Sequence, residues 1–466
     1  MRKTKIVGTI GPASMDYKTL KAMVQAGLDV VRINLSHAKQ PDMDIIMDNV
    51  KRIRKELKNP LPVMLDTRGP EIRIKTFKNG FVNIEKGQTF IFTGRNVEGN
   101  EMQVSLNMPG IVQNVKKGGQ ILANNGLVKF KIVEVREKDI VTKAMNSGVL
   151  SNRKSLSIPG VKFNTPYLNA EDKKDILWGI KNNVDFVAAS FVNSKNDVKE
   201  LRSFIEKNNG KIKIISKIES QCGLDNLDEI IDASDALMVA RGDLGVEVDM
   251  EKLPSLQKMM IKKSVLKGRP VITATEMLES MIKNPRPTRA EVSDIANAIY
   301  DGTSCVMLSG ETANGEHPIE SVKTMADVAL ETEQHLDYSL TLKQTENATI
   351  SDIISQCAVS ATNMENVKSI VSFTQSGVSA GLISRFRPKV EIIGATPDEK
   401  VFRSLVILWG VKPVLTPIYN STDEMFKIAR DIAIKQKELK TGDNVVVCCG
   451  TPNVANGTNL IKIISL

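Results

Sequence analysis

Residues 211–220 read KIKIISKIES, a run whose isoleucines mark a buried parallel strand and whose Lys217 and Glu219 interrupt the apolar pattern. Positions i and i+2 of a strand project from one face, so these opposite charges emerge together at the strand's end. The run reads as a strand with a functional tip. Seven other runs share the design, apolar and closed by polar residues: KIVGTIGP (5–12), DVVRINLSH (29–37), PVMLDTRGP (62–70), DFVAASF (185–191), ALMVARGD (236–243), PVITATE (270–276) and CVMLSGET (305–312).

Helical patterns lie between them, such as YKTLKAMVQAG (17–27), DVKELRSFIEKNNG (197–210) and PIESVKTMADVALETEQ (318–334), with acidic or hydroxyl residues near their starts. Strand and helix alternating eight times predicts an α/β chain built on a (β/α)₈ TIM barrel. One connection breaks the rhythm: after LDTRGPEIR about ninety residues pass before the helical pattern EDKKDILWGIKNN (171–183). They contain short strand-like runs punctuated by KNG, KKGG and NSG, which predicts an inserted β-barrel domain standing over the mouth as a lid. After a polar segment, YSLTLKQTENATIS (338–351), the runs SIVSFT, VEIIGAT, DNVVVCCG and LIKIISL predict a C-terminal α/β domain of regulatory type. The expected division is 1–69 and 166–338 for the barrel, 70–165 for the lid and 339–466 for the last domain. At about 150 residues per domain, 466 residues accommodate three.

The net charge of +9 is scattered, without a run of five like charges, and only 4% of residues are aromatic. That argues against nucleic-acid binding and favours a general attraction for anionic metabolites. Five cysteines form no C-x-x-C pair and only three histidines are present, which argues against a zinc site and for a reducing cytoplasm. The N-terminus lacks the apolar core of a signal peptide, and no stretch approaches the ~18 apolar residues of a membrane span.

In such a barrel the site forms at the C-terminal strand ends. The second strand presents Arg32, Asn34 and Ser36 on one face, and the third closes with Asp66 and Thr67. The fifth closes with Lys217 and Glu219, the sixth with Arg241 and Asp243, the seventh with Thr275, the eighth with Ser309 and Glu311. Each charge alone reads as an ordinary surface ion pair. Together at one mouth they require a ligand or metal ion to organise them. Glu219 and Asp243, on neighbouring strands, offer two hard oxygens to Mg²⁺, and Lys217 beside them suits charge neutralisation on a phosphoryl group in transfer. No G-x-x-x-x-G-K-[ST] loop is present.

The motifs KTKIVGTIGPAS (3–14), VRINLSH (31–37), LDTRGPEIR (65–73), IISKIES (214–220), SDALMVARGDLGVE (234–247), VITATEMLESMIKNPRPTRAEVSDIANAI (271–299) and DGTSCVMLSGETANGEHPIE (301–320) resemble, in order and across the whole chain, those of the pyruvate kinase family. The resemblance implies phosphoryl transfer from phosphoenolpyruvate to ADP, giving pyruvate and ATP in the last step of glycolysis, with Mg²⁺ and K⁺, by a homotetramer. It assigns Mg²⁺ to Glu219 and Asp243, and the phosphoryl group in flight to Lys217. Arg32 takes the substrate phosphate, and Gly242 and Asp243 with Thr275 its carboxylate side, Thr275 also belonging to the route that protonates the enol. It assigns K⁺ to Asn34, Ser36, Asp66 and Thr67, with Glu71 as the charge that accompanies K⁺ dependence. Nucleotide contacts fall to Asn34, His37, Arg73 and Lys154.

Several positions depart from the family's pattern. Asn124 and Asn125 stand in the lid where a pair of aspartates is common, which reads either as a neutral turn of the same shape or as weakened nucleotide binding. Arg68, Ala38, Cys222 and Glu276 replace other common residues without removing a catalytic group. In SFTQSGVSAGLISRFRP (372–388), Thr374, Ser376, Gly377 and Ser379 offer hydroxyls and amides to a phosphate, by resemblance a sugar-phosphate effector's. Val378 replaces the usual basic residue there. Two alternative readings are a Mg²⁺-dependent barrel aldolase or lyase with a Schiff base on Lys217, and a catalytically weak relative acting as a metabolite sensor.

Overall fold

The computed structural model describes residues 2–161, 166–338, 348–435, 439–451 and 457–466. The stretches 162–165 and 339–347, which hold the expected lid end and part of the polar connecting segment, lie outside the described residues.

Eight parallel strands close into a barrel: β1 (Lys5–Thr9), β2 (Val30–Asn34), β3 (Val63–Asp66), β4 (Phe186–Ala189), β5 (Lys213–Ile218), β6 (Ala236–Ala240), β7 (Val271–Ala274) and β8 (Cys305–Leu308). Each is one of the eight runs read from the sequence. Several helices between them start on side-chain caps: Asp16 accepts the Lys18 and Thr19 amides, and Thr288 forms a capping box with Glu291. Their apolar faces pack on the outside of the strands as one cluster.

Alternation sends a second set of side chains inward. Val7, Val30, Met64, Ala188, Ile215 and Met238 belong to a separate apolar cluster filling the barrel interior. Continuing five of these series by two residues reaches Thr9, Arg32, Asp66, Ser190 and Lys217, all buried. The periodicity that packs the interior thus ends in a polar layer.

Between β3 and the helix Ala170–Lys181 lies the insert, a seven-stranded sheet whose two outermost strands, Ile72–Arg73 and Gln103–Ser105, are brought together by the Ile74↔Leu106 bridge. Phe90, Phe92 and Phe130 fill it, Phe92 meeting Phe90 and Phe130 edge-on at 5.3 and 5.1 Å and Phe90 lying tilted against Phe130 at 5.8 Å. Its core is distinct from that of the barrel.

The C-terminal unit is a five-stranded sheet: β9 (Val367–Phe373), β10 (Glu391–Thr396), β11 (Val411–Leu415), β12 (Asn444–Cys449) and β13 (Leu460–Ser465), in the order β11-β10-β9-β12-β13. Strand β11 was not among the expected ones. Pro413 interrupts its pattern, and its place at the sheet edge is where a proline is tolerated. Cys448 and Cys449 are fully buried in β12, and burial pushes their thiols up to about 12 and about 11.

This unit also closes the bottom of the barrel. Val406 and Ile407 join the interior cluster, and the Cys305 thiol donates to the Ile407 carbonyl at 3.3 Å. Asp185, at the start of β4, accepts from Arg403 Nε at 2.7 Å and Arg54 Nη2 at 2.9 Å. Among the described residues no helix is long and apolar enough to cross a membrane.

Candidate active site

The polar layer is an ion-pair ring built by strand register. Pairing of β2 with β3 sets Arg32 beside Met64 and Asn34 beside Asp66. Arg32 Nε then donates to Asp66 Oδ2 at 2.7 Å and its Nη1 to Thr9 Oγ1 at 2.6 Å. From β5, Lys217 Nζ reaches Asp66 Oδ1 at 3.0 Å, Ser190 Oγ at 2.7 Å and Glu219 Oε1 at 2.8 Å. Glu219, 1% exposed, accepts the Phe191 amide on its other oxygen at 2.6 Å. The charges of KIKIISKIES therefore do share a face, and each has a second partner from another strand.

Electrostatics follow from this packing. Burial disfavours the Lys217 ammonium, but Asp66 and Glu219 outweigh it and hold its pKa above the ordinary lysine value. Burial likewise works against ionised Asp66, yet Arg32 and Lys217 keep its carboxyl below the usual range. Glu219 shares its cation with Asp66, and burial pushes it up to about 7 with Asp243 adding to the effect. Four carboxylates, Glu219, Asp243, Glu71 and Glu247, line the cleft between lid and barrel. Asp243 is exposed to it, in the first turn of the helix Arg241–Glu247.

Thr275, just past β7, has φ 67°, and Glu276 has φ 53°. Two successive left-handed residues, one β-branched, are costly and persist only when neighbours hold them. Arg241 does so: its guanidinium donates to the carbonyls of Ala274 at 3.3 Å, Thr275 at 2.6 Å and Glu276 at 3.3 Å, and pairs with Asp294 at 2.7 Å. The Gly242 amide meets Thr275 Oγ1 at 2.9 Å.

The comparisons with known proteins agree over the whole chain. The family model described as "Pyruvate kinase, barrel domain" matches residues 1–322, and "Pyruvate kinase, alpha/beta domain" matches 352–464. The chain belongs to the pyruvate kinase family. It is 44% identical to the pyruvate kinase of Geobacillus stearothermophilus, covering 99% of this chain and 80% of that protein. It is 41% identical to that of Clostridium perfringens, covering 99% of both. A solved pyruvate kinase from Cryptosporidium parvum superposes with a TM-score of 0.94 at 36% identity, covering 100% of this chain and 96% of that one.

For this pyruvate kinase family chain, the candidate residues fall into three groups. Arg32, Asp66, Lys217 and Glu219 converge in the ring, with Asp243 on the cleft above and Gly242 against Thr275. Arg241, Ser309 and Glu311 are scaffold: Glu311 is buried and accepts the amides of Leu278 at 3.0 Å and Ser309 at 2.7 Å. The alternation expected through Ser36 stops at Asn34, because the chain turns there and the Ser36 amide folds back on Asn34 Oδ1 at 3.1 Å. Ser36 and His37 are exposed, while Thr67 is buried and its hydroxyl reaches the Ala188 carbonyl at 3.3 Å. Arg73 and Lys154 lie on adjoining lid segments, Arg73 bonding Glu71 at 2.6 Å and the Arg153 carbonyl at 2.9 Å.

Sequence reasoning missed Thr9 and Ser190. Both lie two residues past an inward apolar position, so alternation carried one step further identifies them. Asn124 and Asn125 have φ 52° and 54°, ahead of Gly126 at 80°, a left-handed turn that asparagine tolerates. Arg68 pairs with Asp175 at 2.6 Å on the barrel's own helix. In the C-terminal unit Thr374 Oγ1 accepts the Gly377 amide at 2.9 Å, Ser379 bonds Thr458, and the Ser376 carbonyl accepts Lys213 Nζ at 2.9 Å. Val378 is exposed.

Among the described residues no three metal-type ligands cluster. Glu219 and Asp243 on one cleft nevertheless fit Mg²⁺, which keeps waters and takes further oxygens from substrate. Asn34 and Asp66, side by side, supply the all-oxygen chemistry that K⁺ needs.

Proposed function

We propose that this chain transfers the phosphoryl group of phosphoenolpyruvate to ADP, giving pyruvate and ATP, with Mg²⁺ held by Glu219 and Asp243 and K⁺ by Asn34, Ser36, Asp66 and Thr67. The carrying observation is the Lys217 ammonium, buried and held charged by Asp66, Glu219 and Ser190. Transfer of a phosphoryl group demands a fixed cation where negative charge accumulates, and a lysine already oriented by three acceptors provides it without reorganisation. Arg32, oriented by Asp66 and Thr9, adds a second cation for the substrate phosphate. Thr275 and the Gly242 amide line the approach of the substrate carboxylate, with Thr275 on the proton route to the enol. When bound, Mg²⁺ supplies Lewis-acid neutralisation of the phosphoryl oxygens.

The lid, 70–165, brings Arg73 and Lys154 as nucleotide contacts, with Asn34 and His37 opposite on the barrel. A sugar phosphate at Thr374, Ser376, Gly377 and Ser379 is the effector proposed for the C-terminal domain, although internal bonds already engage several of these groups. Five free thiols suit a cytoplasmic setting, and a homotetramer is the assembly proposed from the family.

Schiff-base chemistry at Lys217 is disfavoured, since such a lysine needs a depressed pKa and this one is raised. The sensor reading is not favoured, because Arg32, Asp66, Lys217 and Glu219 all converge in the ring. Pyruvate formation from phosphoenolpyruvate and ADP, with Mg²⁺ and K⁺ omitted in turn, tests the proposal. Lys217→Met should lower kcat by about 10²–10³-fold. Wild-type turnover by Lys217→Met, or a keto acid trapped on Lys217 by borohydride, would overturn it.

A further inference from the structure

We infer that Glu247 is a positioning residue whose hydrogen bond to Ser157 of the lid couples lid closure to Glu219 and Asp243. The inference rests on the reading of Glu219 and Asp243 as the Mg²⁺ carboxylates.

Glu247 ends the helix Arg241–Glu247, one turn after Asp243, so the two side chains leave the same side of that helix. Its carboxylate accepts the Ser157 hydroxyl from the lid strand Ser155–Ser157. It also faces the backbone N–H of Gln221, two residues past Glu219. One carboxylate thus ties together the lid, the segment that follows β5 and the helix that carries Asp243. No lysine or arginine among the described residues pairs with it, and burial raises its pKa. The neighbouring Val246 stands across the same seam, its Cγ1 3.5 Å from where a Cβ on Gly126, in the lid turn, would lie.

A half-buried carboxylate served only by neutral donors depends on each of them. Lifting the lid removes the Ser157 hydroxyl and lets water reach Glu247, which frees the helix to shift relative to Gln221. Closing it restores the bond and fixes the distance between the helix bearing Asp243 and the loop bearing Glu219. Coupling of this kind is reciprocal: an ion held between the two carboxylates favours the closed lid by the factor that the closed lid favours the ion. Arg241 holds the other end of the same helix through Asp294.

The test uses the full-length chain and Mn²⁺ as the probe ion, with two readouts: the Mn²⁺ dissociation constant by paramagnetic resonance, and amide hydrogen exchange across 153–158 with and without Mn²⁺. In the wild type Mn²⁺ should slow exchange in this segment. Ser157→Ala and Glu247→Ala should each lose that slowing and bind Mn²⁺ about fivefold or more weakly. Ser157→Thr, which keeps the donor, should stay within about twofold, and the double variant should match Glu247→Ala because the two residues act through one bond. Ser157→Ala sits on a lid strand and leaves the barrel core intact, so the test stands if Glu247→Ala fails to fold. Glu219→Gln separates the two ideas. If Glu219→Gln binds Mn²⁺ as the wild type does, the metal reading fails. If Glu219→Gln loses Mn²⁺ but Ser157→Ala keeps wild-type affinity and lid protection, the latch alone is refuted.

Discussion

Arg241→Lys should impair the reaction although Arg241 touches no substrate in the proposed scheme. The substitution keeps a positive charge for Asp294 but replaces a planar fork by a single ammonium. In the structure that fork reaches three consecutive carbonyls, Ala274, Thr275 and Glu276, at 3.3, 2.6 and 3.3 Å. The two left-handed residues it clamps carry about 1–3 kcal/mol of backbone strain each. Hydrogen bonds from a charged donor contribute about 1.5–3 kcal/mol, so losing most of the fork removes an amount comparable to the strain it opposes. Thr275 then spends much of its time elsewhere, and its hydroxyl leaves the Gly242 amide. The expected loss in kcat/KM for phosphoenolpyruvate at saturating ADP is about ten- to hundredfold. Far-ultraviolet dichroism should be unchanged, since the clamped residues Thr275 and Glu276 lie in a loop. Wild-type kcat/KM in Arg241→Lys would refute the argument that Thr275 is held by that fork.

Asp66→Asn leaves Arg32 and Lys217 buried with Glu219 as the remaining acid; urea denaturation of the barrel should show a loss of about 3–5 kcal/mol, accompanied by a fall in kcat. Lys3 packs over Tyr338 and Trp409, and burial lowers its pKa to about 8, below the value near 10.5 that it regains on unfolding. Between those two values the unfolded chain binds more protons than the folded one, so stability relative to Lys3→Met should rise with pH across that window, measured as melting temperature. Replacing K⁺ by a non-activating organic cation should depress turnover, and Glu71→Lys should reduce the dependence by placing an ammonium beside Arg73 and Asp243; equal rates with and without K⁺ in the wild type would remove the K⁺ assignment.

Much of the candidate site was legible because its information is local. Lys217 and Glu219 stand two apart on an isoleucine-rich strand, Asp66 and Asp243 each close an apolar run, and Arg32 follows by alternation within its strand, so strand and polar tip are read from one short window. Ser36 shows where local reading stops: alternation holds only while the chain stays extended, and the turn after Asn34 ends it. Arg241, Ser309 and Glu311 looked equivalent to the catalytic candidates because a strand-end charge carries no mark of whether it faces substrate or backbone.

By itself the sequence determined the eight barrel strands, the place of the insert and the residue types at the mouth, since period-two alternation and turn residues act over neighbouring positions. Tertiary structure alone decided which charge pairs with which. Lys217 and Asp66 lie 151 positions apart and meet only because β5 and β3 converge on one mouth. It also decided that Val406 and Ile407 plug the barrel floor, that a proline-containing strand takes the sheet edge, and that Thr275 is forced into a left-handed backbone. These outcomes depend on register, burial and close contact between distant segments, which no window of sequence encodes.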